Sequence, residues 1–153
     1  MRTVDRLLVR APAEPMFEAA ANVERWPERL AHYRWVRFGQ RRPDGGVVEM
    51  AAVRPFGPLA WPVWWESEMW IDRARLEVRY RHLRGVTAGM DVTWRLEPRG
   101  KETDVTIVHT WRGPAWPLIR VPAANWVIGP VFVHGIASRT LAGLARTVES
   151  GHG

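Results

Sequence analysis

The chain has no cysteine, one lysine and two tyrosines, and no apolar run long enough to cross a bilayer. Without cysteine there is no disulfide, no thiolate nucleophile and no cysteine-type zinc site. The length of 153 residues makes such staples unnecessary, because a chain of this size buries roughly two-thirds of its unfolded surface. The longest weakly polar stretch, Val121 to Ala137, is interrupted by Asn125, Gly129, Pro130, His134 and Gly135. It falls short of the ~20 residues that a membrane-spanning helix needs. The first ten residues mix Arg2, Asp5 and Arg6 into their apolar set, unlike the apolar core of a signal peptide. A cytoplasmic protein is the default expectation.

Lysine is represented by Lys101 alone, so the formal net charge of +6 is carried by arginine. The basic residues are interspersed with acids, as in Glu24-Arg25 and Asp72-Arg73, and no basic run exceeds Arg41-Arg42. A nucleic-acid surface needs a clustered patch or stripe, so no specific nucleic-acid partner is expected. No histidine spacing suits a metal, and neither a G-x-G-x-x-G nor a Walker sequence is present, so neither a metal nor a cofactor is expected. Composition, at 46% hydrophobic and 25% charged, is that of a folded globular domain.

Ten tryptophans stand out against these absences, and periodicity says where several belong. Val4 to Val9 reads as a strand. Ala11-Pro12-Ala13-Glu14-Pro15 opens a helix carrying Met16, Phe17, Ala20 and Ala21, since proline is tolerated in a first turn. A second short helix spans Val23 to Leu30. Tyr33–Gln40 and Val47–Arg54 read as strands joined by the Pro43-Asp44-Gly45-Gly46 turn. After a turn at Pro55–Pro58 come strands at Pro62–Asp72, Arg75–Arg84, Met90–Glu97 and Asp104–Arg112. Leu76, Val78, Tyr80 and His82 alternate with charged residues. Met90, Val92, Trp94 and Leu96 alternate with Asp91, Thr93, Arg95 and Glu97, and Val105, Ile107, His109 and Trp111 alternate with polar residues. Such alternation marks an antiparallel sheet with one covered face. A connection at Gly113–Pro122 leads to a helical pattern from Asn125 to Glu149, with Gly129-Pro130 as its kink or its true start. The expectation is one α+β domain over 1–153, with about seven curved antiparallel strands, two short helices after the first strand and a long closing helix.

Several segments resemble a known family. Asn22-Val23-Glu24-Arg25-Trp26-Pro27-Glu28 resembles a helix-two signature, and Trp65-Glu66-Ser67-Glu68 a "W-x-S" strand. Gly89-Met90-Asp91-Val92-Thr93-Trp94 resembles a "G-M-x-V-x-W" strand, which is followed by Thr103 to His109 as "T-D-V-T-I-V-H". Phe132 to Leu141 resembles a closing helix. Together these are similar to the START/Bet v 1-like (SRPBCC) superfamily, in its bacterial polyketide cyclase/dehydrase and coenzyme-Q-binding-like branch. The resemblance implies a helix-grip fold, a sheet wrapped around the C-terminal helix with an apolar cavity between them. In cyclases of this family an arginine follows the strand serine by two residues; here that position is Met69, which favours a more hydrophobic ligand.

Alternation assigns Trp35, Trp65, Ser67, Met69, Tyr80, Met90, Trp94, His109 and Trp111 to the cavity wall. Ala137 and Leu141 face them from the helix, and Ala137, Gly143 and Ala145 leave space there. Core packing explains any single tryptophan equally well. His109, His82 and Tyr80 are the candidates for proton transfer, since histidine titrates near neutrality; the alternative is a histidine bonded within the core. No G-x-S-x-G elbow surrounds Ser67, which argues against a serine hydrolase. Trp64 and Trp70 face outward if the strand is regular, as an interface or a transient membrane contact, or inward if Pro62 marks a bulge. The expected function is binding of a lipid, quinone or polyketide-like molecule. The alternative is a cyclase or aromatase performing ring closure or dehydration in the same cavity, and either a monomer or a homodimer fits.

Overall fold

A computed structural model describes residues 2–56, 58–85, 87–112 and 134–151. The strands are β1 (Arg2–Val9), β2 (Tyr33–Arg42), β3 (Gly45–Phe56), β4 (Leu59–Asp72), β5 (Glu77–Gly85), β6 (Asp91–Arg99) and β7 (Glu102–Thr110). The helices are α1 (Ala13–Ala21), a 3-10 turn (Val23–Arg25), α2 (Trp26–Arg29) and α3 (His134–Gly151). The expected Gly113–Pro122 connection, the Gly129-Pro130 kink and the helix start at Asn125 lie outside the described residues.

All seven strands form one sheet in the order β1-β7-β6-β5-β4-β3-β2, with every pairing antiparallel. The inner face is the apolar one anticipated from alternation: Val78, Tyr80, Met90, Val92, Trp94, Leu96, Val105, Ile107, His109 and Trp111 are all buried. This is the helix-grip architecture, α+β with the helices on one face of the sheet. Met16 and Phe17 of α1 are buried against it, which stabilises by roughly 1.5–3 kcal/mol for each side chain. Glu14 in the first turn of α1 complements the helix dipole. Pro27 opens α2 and Trp26 is its buried residue.

The β2–β3 hairpin turns where Pro43–Gly46 was expected, with Gly45 and Gly46 at φ 138 and 139. A side chain on Gly45 would collide with the carbonyl of Met69 in β4, so glycine there lets β3 start two residues before Val47. Arg75–Arg84 begins later than alternation suggests. Leu76, at φ 54, sits in the turn and donates no strand residue, although its carbonyl accepts from Leu96 N at 3.0 Å.

Bulges decide which expectations fail. In β2 the register passes from Tyr33↔Ala52 to Trp35↔Ala51, so Arg34 is an extra residue and the parity flips. Tyr33 takes the inner face. Trp35 moves to the outer face in a row with Ala51 and Trp64, its ring 4.1 Å from the Arg37 guanidinium. The assignment of Trp35 to the cavity wall is therefore corrected. Strand β4 is regular against β3, and the bulge between β4 and β5 falls at Leu83 and not at Pro62. Trp64 and Trp70 accordingly face outward and are half-buried.

Candidate functional site

Between the inner face and the first turns of α3 lies a cavity lined by Trp26, Tyr33, Met50, Trp65, Tyr80, His82, Thr87, Met90, Val92, Trp94, Ile107, His109, Ile136, Ala137 and Thr140. Five rings follow one another around it: Trp94, Trp26, Tyr33, Trp65 and His82, with successive centroids 5.8, 5.2, 6.2 and 5.9 Å apart. These separations are those of favourable tilted or stacked ring pairs. Trp26 is fixed by an Nε1–H bond to the Ala19 carbonyl at 3.0 Å, which ties α2 to α1 and aims the indole into the belt. Space open to the centre of a water-sized sphere amounts to about 70 Å³. An apolar cavity of ~150 Å³ holds benzene, so a ring-bearing occupant requires the unbranched, pliable Met50 and Met90 to yield.

Polar groups are sparse, and among the described lining residues none is Asp, Glu, Lys or Arg. Burial, with the neighbouring His109 second, pushes His82 down to about 3. Its Nδ1 lies 2.5 Å from Thr87 Oγ1, while its main chain bonds Met90 O and Gly89 N, each at 2.8 Å. His109 is pushed down to about 4, first by burial and then by the charge of His134. Burial likewise raises the Tyr80 hydroxyl well above its ordinary value, with Tyr33 adding to the effect. Both imidazoles are therefore neutral and the phenol is protonated at neutral pH. The buried His109 Nδ1, Tyr80 Oη and Ser67 Oγ have no hydrogen-bond partner among the described residues. Such groups cost about 1–3 kcal/mol each when left unpaired. On the helix side, Thr140 Oγ1 donates to Ile136 O at 2.8 Å, lies 3.0 Å from His32 Nε2 and 3.5 Å from the Tyr33 hydroxyl.

Register explains which candidates come together. Met69, Tyr80, Val92 and His109 stand in one row across β4 to β7, and Ser67 pairs with His82 in the next. Trp65, Tyr80, His82, Met90, Trp94, His109 and Ala137 all line the cavity. Ser67, Met69, Trp111 and Leu141 are buried but stand behind or beside its lining. Trp111 Nε1–H donates to Ala88 O at 3.0 Å, so its ring closes the β5–β6 turn instead of facing the cavity. The space expected at Gly143 is taken by Leu30, which approaches so closely that a Cβ there would collide with Leu30 Cδ2.

Alternation already places Val92 and Ile107 on the inner face, and Trp26 stands in the helix-two signature. Tyr33, Met50, Thr87, Ile136 and Thr140 enter the lining through the β2 bulge, the β5–β6 turn and the docking angle of α3. Helical periodicity already groups Ile136 and Thr140 with Ala137 and Leu141 on one face, whereas Tyr33, Met50 and Thr87 are not singled out by the pattern. Among the described residues no three His, Asp or Glu side chains converge as a metal site would require, and no helix is long and apolar enough to cross a membrane.

Comparison with solved structures gives full-length likenesses. The ZhuI aromatase/cyclase from Streptomyces sp. R1128 superposes with a TM-score of 0.78 at 19% identity, covering 100% of this chain and 98% of that one. A START superfamily protein from Mycobacterium smegmatis gives 0.69 at 13%, covering 97% of each chain. The major latex-like protein 151 from Panax ginseng gives 0.72 at 13%, covering 99% and 97%. At these identities the likeness establishes the fold. No curated protein matches the sequence. The family model described as polyketide cyclase/dehydrase and lipid transport matches residues 9–126. That match spans most of the sequence, and with its helix-grip sheet and aromatic-lined cavity the chain belongs to that family.

Proposed function

We propose that this protein binds an uncharged aromatic or lipid-like small molecule, of quinone or polyketide type, between the sheet and α3. One observation carries the reading: a series of aromatic rings lines a space with no charged side chain among the described lining residues, while Tyr80 Oη and His109 Nδ1 at its wall have no partner among the described residues. Apolar walls supply affinity and a few polar atoms supply orientation. A carboxylate or phosphate would find no Lys or Arg to balance it among the described lining residues, whereas a carbonyl or hydroxyl oxygen would satisfy the unpaired groups. Several surface arginines are paired with carboxylates, as in Arg84–Glu66 at 3.2 Å, Arg95–Glu77 at 3.0 Å and Arg42–Glu68 at 2.9 Å, and such interspersed charge supports a small molecule over nucleic acid as partner. A carrier of this kind works in the cytoplasm. Native mass spectrometry of protein purified from its own host, followed by extraction, tests the reading. A neutral ring-bearing compound in excess of one-half per chain is expected; a charged metabolite in the cavity would refute it.

A second reading, ring closure or dehydration, is favoured by the shared row of Tyr80 and His109. A protonated phenol and a neutral imidazole two strands apart could polarise a carbonyl and accept a proton from the same occupant, held so that reaction is effectively intramolecular. Replacing Tyr80, His82 and His109 singly by phenylalanine separates the readings. Loss of turnover with retained binding favours the enzyme, and unchanged turnover in all three retires it.

A further inference from the structure

A second polar cluster lies at the β1–β7 side of the cavity. Thr3 and Asp5 share the inner face of β1, with Thr3 opposite His109 and Asp5 opposite Ile107, two residues of the cavity wall. Asp5 is only 5% exposed. Its Oδ1 pairs with Nδ1 of His134, the first residue of α3, while its Oδ2 and the Thr3 Oγ1 are buried with no partner among the described residues. His134 keeps 57% of its side chain exposed and precedes by two and three residues the Ile136 and Ala137 that line the cavity. Its carbonyl is held by the Ser138 hydroxyl at 2.7 Å.

A carboxylate on the inner face is costly to bury, and an apolar residue would serve packing better. What the pairing does supply is orientation: a carboxylate holding Nδ1 fixes the tautomer and presents Nε2 to accept a proton. His134 also has a counterion to balance the imidazolium it would become. His82 and His109 have none, and burial holds both neutral. Among the described residues, the titratable and charged groups near His134 include Asp5 from β1 and His109 from β7, with Arg139 further along α3 beside His32.

We propose that His134 is a general base, with Asp5 as its positioning residue, acting on a ketone with an acidic α-carbon bound against β1 and β7. The α-proton passes to His134 Nε2. The C–H electron pair moves into the carbon–carbon bond of an enolate, whose oxygen is met by the Thr3 hydroxyl. The carbonyl π pair moves onto that oxygen; return of the proton to the α-carbon restores the ketone with exchange, its delivery to oxygen gives the enol, and neither outcome needs a co-reactant. The proposal rests on the cavity being a ligand site, and its test separates the two.

The assay is deuterium exchange at the α-carbon of 2-tetralone in D2O, followed by proton NMR, with binding read separately from quenching of the cavity tryptophans. Exchange at least tenfold faster than with the same concentration of free imidazole is expected, rising with pH along a single ionisation. His134→Gln and Asp5→Asn should each lose tenfold or more of that rate and its pH dependence while still quenching fluorescence, and Arg139→Gln should keep it. Quenching without accelerated exchange, or exchange unchanged in His134→Gln, overturns the dyad and leaves the cavity reading intact. Absence of quenching in the unsubstituted protein overturns both for this class of ligand.

Discussion

Gly143, in the middle of α3, tests the packing that holds this helix over the cavity. Substitution by alanine removes the conformational freedom of glycine in a helix interior, which alone stabilises by about 1 kcal/mol. The new Cβ would lie under 3.0 Å from Leu30 Cδ2, where ordinary contact is 3.4–4 Å, while Leu30 Cγ at 3.8 Å would be undisturbed. Relief requires the Leu30 terminus to swing aside, and Leu30 is itself buried in the core cluster. Overpacking of this kind costs roughly 1–3 kcal/mol, so Gly143→Ala is expected to destabilise by about 1 kcal/mol net. In a Leu30→Ala background the obstruction is gone, and the same substitution should stabilise by about 1 kcal/mol. The coupling between the two sites is then about 2 kcal/mol, within the range for residues in direct contact. Urea titrations of the four proteins measure it, with equal slopes confirming that the midpoints report stability. If Gly143→Ala stabilises in both backgrounds, α3 does not rest on Leu30 and the placement of the helix over the cavity is wrong.

Other outcomes follow from the same contacts. His82 and His109 are held at about 3 and about 4 against an ordinary 6.5, so the unfolded chain binds more protons than the fold below pH 6.5. Stability should be full above that pH and fall towards pH 4, by up to about 2.7 kcal/mol per pH unit from these two protons, with a smaller share from the half-buried His32, also lowered to about 4. Asp5, raised by burial, acts in the opposite sense at the acid end. Urea midpoints across this range should lose about one proton of slope in His109→Phe; an unchanged slope contradicts the neutral buried imidazole. Tyr80→Phe removes a hydroxyl that has no partner among the described residues. It should leave the empty protein as stable or up to about 1 kcal/mol more so, yet weaken a carbonyl-bearing ligand by about 0.5–1.5 kcal/mol. Calorimetry of both states checks the opposed signs, and destabilisation of the empty protein would show that the hydroxyl is paired. Met69→Arg places an unpaired cation at a position with no exposed surface and should cost about 3 kcal/mol or more in thermal unfolding. Met69→Leu should cost under about 1.5 kcal/mol, and an arginine tolerated without loss would point to an anion in the cavity.

Element order was legible in the sequence because burial on one face leaves a period of two in a strand and of three to four in a helix. The inner positions of β6 and β7 are correct residue by residue, from Met90 to Leu96 and from Val105 to Trp111, since neither strand contains a bulge. Where a bulge intervenes, alternation misleads: one extra residue at Arg34 sends Trp35 to the outer face and Tyr33 into the cavity. The turn around Leu76 is hidden for a related reason, as a leucine at positive φ reads from sequence like another strand residue. Partnerships between distant segments left no local trace at all. Nothing near Gly143 announces that Leu30 fills its missing side chain, and nothing near Asp5 announces His134. Local pattern records only which face of an element avoids water, and that determined the sheet, its covered side and the facing of Trp64, Trp65, Trp70, Trp94 and Trp111. Which inner residues meet a void, which pack behind it and which buried charge finds a counterion depend on register, bulges and the docking of α3, and these were decided only when the chain closed.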